Sequence, residues 1–333
     1  MKGKGIFTIS LDFELYWGVR DHRTLNDYGD NIQNVHSIVP RLLELFQKYE
    51  VHCTWATVGF LFFSGKEELV NNLPDEKPSY QNKCYDPYDH IQKSELEPKY
   101  HFAPSLIEQI SKTPGQEIGT HTFSHFYTLE KNTSLNEFRN DLKCAIETAG
   151  KRGYELRSII FPRNQYSDEH IKVCYEEGVK VFRGNLEAGA YKPRAREDES
   201  LFKRATRFID SYINITGDHC HSAPAAGGII NIPASRFLRP HNPGMSWLDG
   251  LKFRRIKSGL KFAADKGLIY HLWWHPHNFG KFTDENFIFL ESILKVYKLL
   301  NLEGKMASQN LIEIYSSIAS NAANETSTVS QGL

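Results

Sequence analysis

Apolar runs alternate with amphipathic stretches along most of the chain. Residues 5–11, GIFTISL, have the composition of a buried strand. Residues 31–49 then place Ile32, Val35, Ile38, Val39, Leu42, Leu43 and Phe46 at helical spacing. A second strand is expected near 51–58. A helix around 104–113 precedes the short strand QEIGT, and Ser134 with Glu137 forms a capping box for a helix that ends at Gly150. RSIIF (157–161) predicts a strand, 167–177 a helix and VKVFR (179–183) a strand. A strand near 229–233, a helix over 248–265, the strand LIYHLWW (268–274) and a helix over 284–301 complete the series.

Repeated β–α units imply parallel strands with helices packed outside them. Six or seven such units fit one barrel better than two open sheets, and barrel chemistry gathers at the C-terminal ends of the strands. Two stretches break the alternation. Residues 64–103 are polar with little periodicity, and a connection that long is usually functional or disordered. Their tyrosines and histidines favour an ordered, substrate-facing loop. Residues 319–333 are small and polar and are expected to be disordered, which leaves 1–318 as one barrel domain.

Composition narrows the function. The 333 residues carry 40 basic and 40 acidic side chains, and a chain without a basic excess is a poor nucleic-acid binder. Five cysteines without a CxxC pair point to reduced thiols. Lys2 and Lys4 are followed by no apolar run of signal length before Asp12, and no segment approaches the ~20 apolar residues of a membrane helix. A cytoplasmic location is therefore expected.

Four motifs fall just after predicted strands. Asp12 and Glu14 can point into the same space, one to bind a metal and one to act as a base; a surface acidic pair is the plain alternative. His121 and His125 are four residues apart, which on a helical turn suits two imidazoles on one ion. One acid and two histidines leave positions open for water and substrate, as catalytic metal sites do. Zinc is the default, and manganese, cobalt, nickel or iron would accept the same donors. Arg163, in FPRNQ, can hold a carboxylate bidentately, though alone it could equally be an ordinary loop arginine. In HLWWHPHN, His271, Trp273 and His275 share one strand face. His275, at the strand end, could protonate a departing amine, while His271 lies deeper. Trp273, His277, Asn164 and Arg236 are the candidates for substrate contact, although a core position for the tryptophan is the simpler reading.

In this order, SLDFE, HTFSH, FPRNQ and HLWWHPHNF resemble the polysaccharide deacetylases, carbohydrate esterase family 4, over roughly residues 5–300. The resemblance implies a distorted (β/α)7 barrel with one divalent metal held by an acid and two histidines. The usual first motif has two adjacent aspartates, whereas this chain is more similar to a sub-branch with the acids one residue apart. By that resemblance Asp12 is the base, Glu14, His121 and His125 are the ligands, Arg163 orients the base and His275 is the acid. The implied reaction is removal of an N-acyl group, acetyl or formyl, from an amino sugar or its nucleotide- or lipid-linked precursor.

Two other readings stand beside this one. Allantoinases and cyclic-imide hydrolases share the superfamily without the metal, and a silent sugar-binding barrel would lack a base, ligand or acid. Asp218-His219-Cys220-His221 lacks zinc-finger spacing and is expected to be a polar loop. The basic stretch LKFRRIKSGLKFAADKG is expected to be an outer helix with a solvated face, with transient contact to an anionic membrane surface as the sharper alternative.

Overall fold

A computed structural model describes residues 3–185 and 208–330. Eight strands run parallel: β1 (Gly5–Phe13), β2 (Cys53–Thr57), β3 (Gln116–Thr120), β4 (Ser158–Ile159), β5 (Val181–Phe182), β6 (Ile230–Asn231), β7 (Arg236–Phe237) and β8 (Ile269–Trp274). Their order is β6-β5-β4-β3-β2-β1-β8-β7, and β9 (Met306–Ser308) pairs with the start of β1.

The two ends of that order, β6 and β7, are halves of one continuous segment. The amides of Ile230, Ile232 and Ala234 donate to Lys180, Phe182 and Gly184 on the β5 side. Those of Ser235 and Leu238 donate to His271 and Trp273 of the β8 side. One stave thus bonds first to one neighbour and then to the other, and the sheet curls into a distorted seven-stave barrel.

Period-two alternation decides what faces where. On β1, Phe7, Ile9, Leu11 and Phe13 are buried in the main apolar core beneath the helices. Thr8, Ser10 and Asp12 point the other way, into the barrel, and are buried as well. The helix Val35–Tyr49 buries Val35, Ile38, Val39, Leu42, Leu43 and Phe46, and Phe46 meets Trp55 of β2 and Trp274 of β8. Ser134 and Glu137 form the expected capping box at the start of the helix Leu135–Gly150.

Two expectations change. Residues 64–103 are ordered, with helices at Lys66–Val70, Pro87–Lys93 and Pro98–His101, but their tyrosines turn inward. Tyr80 and Tyr85 pack on Tyr127, Tyr88 packs on Phe60, and Arg20 pins the segment through the carbonyls of Cys84 and Tyr85. Large rings with one polar tip gain more from this burial than from lining a wet mouth. The helix Leu311–Ser330 runs through much of the tail expected to be disordered. It is anchored where Leu311 and Ile314 join Ile160, Val181, Ile230, Ile232 and Ile269 in a separate apolar cluster. Among the described residues no helix is long and apolar enough to cross a membrane.

Candidate active site and metal centre

The end of β1 delivers two carboxylates. Asp12 and Glu14 are each 3% exposed, and their spacing of two residues directs both into the barrel mouth. They are treated differently there. Asp12 is gripped by the guanidinium of Arg183, with Nη1 donating to Oδ1 at 2.7 Å and Nη2 to Oδ2 at 2.8 Å. Arg183 is itself fully buried. It donates to Ser10 Oγ at 2.9 Å and to Asn164 Oδ1 at 2.9 Å, and lies 4.1 Å from the Trp273 ring centre. Burial alone would raise the pKa of Asp12. The Arg183 charge, with His275 and His121, outweighs it and holds the carboxyl below its ordinary value.

Glu14 sits among four imidazoles. Its Oε2 lies 3.0 Å from His125 Nε2 and 3.3 Å from His121 Nε2. Its Oε1 lies 3.1 Å from His277 Nε2 and 3.7 Å from His275 Nε2. Burial opposes its ionisation, but His275 and the close contacts of His121, His125 and His277 leave it well below the usual carboxylate range. Gly18 is packed so closely on Glu14 that an added Cβ would overlap its carboxyl group.

The donor set fits a cation. His121 Nδ1 lies 2.7 Å from the Ile160 carbonyl, an acceptor, so that nitrogen carries the hydrogen. A neutral His121 then turns an Nε2 lone pair toward the lone pairs of Glu14, and a cation between them resolves the clash. His125 is held neutral by burial, with its pKa near 4, and its Nδ1 has no partner among the described residues. The donor atoms of Glu14, His121 and His125 lie within 4.8 Å of one another.

The HTFSH segment is a loop instead of the helical turn expected from its spacing. Thr122 and His125 adopt left-handed backbone angles, with φ of 65° and 60°. Asp141, from the helix Leu135–Gly150, holds the loop by accepting from the amides of Phe123, at 2.7 Å, and Ser124, and from the Ser124 hydroxyl. The imidazoles still converge, with ring centres 5.0 Å apart.

His275 stands at the end of β8, with Nε2 3.6 Å from Asp12 Oδ2. Its Nδ1 faces Asn278 Oδ1 at 3.2 Å, which fixes the ring. His271 shares that face and is buried as expected, between Ser10 Oγ and the Ile232 carbonyl.

Several expected roles move. Arg163 does not reach Asp12. With Arg163 and Asn164 at φ of 54° and 53°, the loop turns the Arg163 guanidinium to Asp21 and Glu130, and Arg183 takes its place. Asn164 supports Arg183 through its side-chain oxygen. His277 does not line the mouth: the turn Pro276–Phe279 folds its ring back between Glu14 and the Tyr28 hydroxyl, 2.9 Å from Nδ1. Arg236 is in register with Leu272, which faces the helices, so it points out of the barrel to Asp210. Its neighbour Phe237 faces inward on Trp273, ring centres 4.8 Å apart. His219 of the polar loop also pairs with Asp210. Arg183, Asn278, Asp141 and Gly18 were not singled out from sequence. Arg183 had a signal, since it ends the predicted strand VKVFR at the same edge that carries the other site residues.

No protein-family model and no curated protein matches the chain. Solved structures do. A protein from Mycobacterium smegmatis described as a polysaccharide deacetylase superposes with a TM-score of 0.60 at 13% identity, over 97% of this chain and 93% of its own. One from Pseudomonas aeruginosa PAO1 with the same description gives 0.51 at 12% identity, over 93% and 89%. The PuuE allantoinase gives 0.52 at 10% identity, over 93% and 88%. Sequence identity this low speaks for architecture alone, and the architecture of this chain is the distorted barrel of the polysaccharide deacetylase fold.

Proposed function

We propose that this chain is a metal-dependent hydrolase that removes an acyl group, acetyl first among them, from the nitrogen of an amino sugar. Its nucleotide- or lipid-linked precursor in surface polysaccharide synthesis is the substrate class. The observation that carries the reading is Glu14 among buried imidazoles, two residues from an Asp12 held ionised by Arg183 and facing His275. Glu14, His121 and His125 would hold the ion, zinc before manganese, cobalt, nickel or iron. Such an ion, when bound, supplies a Lewis acid for the acyl carbonyl and makes a water easier to ionise.

The remaining work belongs to the protein. Asp12 takes the proton of the attacking water, and Arg183 keeps it ionised and aimed for that task. His275, set by Asn278 and 23% exposed at its side chain, returns a proton to the leaving nitrogen. Trp273, backed by Arg183 and Phe237, gives the sugar an aromatic wall.

The test is metal content with and without His121→Ala, beside release of acetate or formate from N-acylated sugars and their nucleotide conjugates. Stoichiometric metal lost in the variant, with acid released only by the wild type, is the expected result. A well-folded wild type that binds no metal and opens cyclic ureides or imides would move the chain to the allantoinase type of chemistry.

A further inference from the structure

We propose that Glu14 serves two cation positions, and that Glu14 Oε1 with the Nε2 atoms of His275 and His277 forms a second, weaker site for a divalent transition-metal ion. The two oxygens of Glu14 face separate pairs of histidines. Oε2 faces His121 and His125, and Oε1 faces His277 at 3.1 Å and His275 at 3.7 Å. In each group the three donor atoms lie within 4.8 Å of one another. A single carboxylate can bridge two ions in this way, and the hydrolytic two-metal sites known in general place them about 3.5–4 Å apart.

The second pair has the outer hydrogen bonds that ligating histidines need. A metal-bound imidazole commonly gives its other N–H to an acceptor, which fixes both tautomer and ring. His275 Nδ1 has Asn278 Oδ1 at 3.2 Å, and that oxygen only accepts. In the tautomer that donates from Nδ1 to this oxygen, His275 aims the Nε2 lone pair at the carboxylates of Asp12 and Glu14, 3.6 and 3.7 Å away. His277 Nδ1 has the Tyr28 hydroxyl at 2.9 Å and Asn278 Nδ2 at 3.4 Å; in the tautomer that donates from Nδ1 to the nearer hydroxyl oxygen, Nε2 is free for an ion. One carboxylate and two imidazoles leave positions open, and imidazole favours zinc, copper or nickel over magnesium or calcium.

The site is the weaker of the two because both ions would share the one charge of Glu14, while Asp12 is already neutralised by Arg183. Filling it has a consequence that rests on the proposed hydrolase reading. The His275 lone pair that takes the ion is the one that would carry the proton to the leaving nitrogen. The first ion therefore activates and the second inhibits.

The experiment is equilibrium dialysis of the whole chain against rising zinc, read by elemental analysis, with acid release followed on the same samples. Two equivalents are expected in the wild type. His277→Gln is expected to lose the second and keep the first, and circular dichroism verifies its fold; His275→Gln is the second variant should that one not fold. Acid release is expected to rise with the first equivalent and fall with the second in the wild type. One equivalent in the wild type up to millimolar zinc, or a second equivalent retained in both variants, overturns the site. Two equivalents with the expected losses but no acid released at any loading would leave the site standing and remove the hydrolase reading instead.

Discussion

Replacing Arg183 by methionine isolates the most consequential contact in the site. The side chain is fully buried, donates twice to Asp12 and once each to Ser10 and Asn164, and stacks on Trp273. Methionine fills a comparable slot without charge. Asp12 would then lose its guanidinium partner and keep only the imidazole of His275 at 3.6 Å beside it, and breaking a buried pair from one side costs on the order of 3–5 kcal/mol. Burial is already the largest influence on Asp12, and it pushes the pKa up. Without the opposing guanidinium burial is expected to outweigh the remaining pull of His275 and His121 and to raise the folded-state pKa above the unfolded value. The sign of the pH effect follows: a group with a raised folded pKa favours the fold at low pH and loses that advantage as pH rises. The variant is therefore expected to be most destabilised at neutral pH and to recover as Asp12 takes up a proton in acid. With Asp12 as the proposed base, turnover should fall by roughly 10²–10⁴, the usual contribution of such a group. Urea unfolding at several pH values, on Arg183→Met, Asp12→Asn and the double variant, measures the coupling directly. A coupling of several kcal/mol is expected, with stability partly restored in the double variant and activity not. A coupling near zero, or a single variant as stable as the wild type at pH 7, would refute the reasoning.

Three further outcomes follow from the same geometry. Arg163→Ala should cost about 3 kcal/mol in urea unfolding by removing the guanidinium from Asp21 and Glu130, yet leave metal content intact, because neither acid touches Glu14; loss of metal would contradict this. Burial, against hydrogen bonds from Ser124 and Phe123, pushes Asp141 up to about 6 from 3.8, so its contribution is present below about pH 4 and lost as pH rises through 6. Asp141→Asn should flatten that part of the stability profile by roughly 3 kcal/mol, and a profile that keeps its slope would exclude the assignment. Gly18→Ala places a methyl group where the Glu14 carboxyl lies and should weaken metal binding by at least about tenfold in a chelator competition, although no ligand is changed; equal affinity would show that Glu14 has room to move.

The strand ends were legible because alternation and helical spacing are local signals. Asp12, Glu14, His121, His125 and His275 all stand where a strand-then-motif pattern places them. What sequence could not supply was direction. Arg163 and Arg183 are both arginines at the C-terminal edge, and only the left-handed turn at 163 and 164 sends one away from Asp12. Arg236 looked like a mouth residue until register paired it with outward-facing Leu272. His277 differs from His275 by two positions, but a turn after Pro276 separates a strand-end residue from one folded back on Glu14. The tyrosines of 64–103 were misassigned for a related reason: aromatic content signals burial or binding equally well, and contact with Tyr127 decides it.

The stave that closes the barrel also bears on how the chain folds and breathes. The amides of Ile230, Ile232 and Ala234 depend on the β5 side, and those of Ser235 and Leu238 on the β8 side, so each half is protected only once its own distant neighbour is in place. Long-range closure of this kind is slow, because loop entropy is lost before the contacts form. These amides should be the last of the sheet to gain protection from solvent exchange during refolding, and the first to lose it in the native state. Arg183 stands directly against this seam, beside the Gly184 carbonyl that receives Ala234. Each local opening there would loosen the guanidinium from Asp12, so the exchange rate at Ala234 becomes a clock for how often the grip on that carboxylate is released.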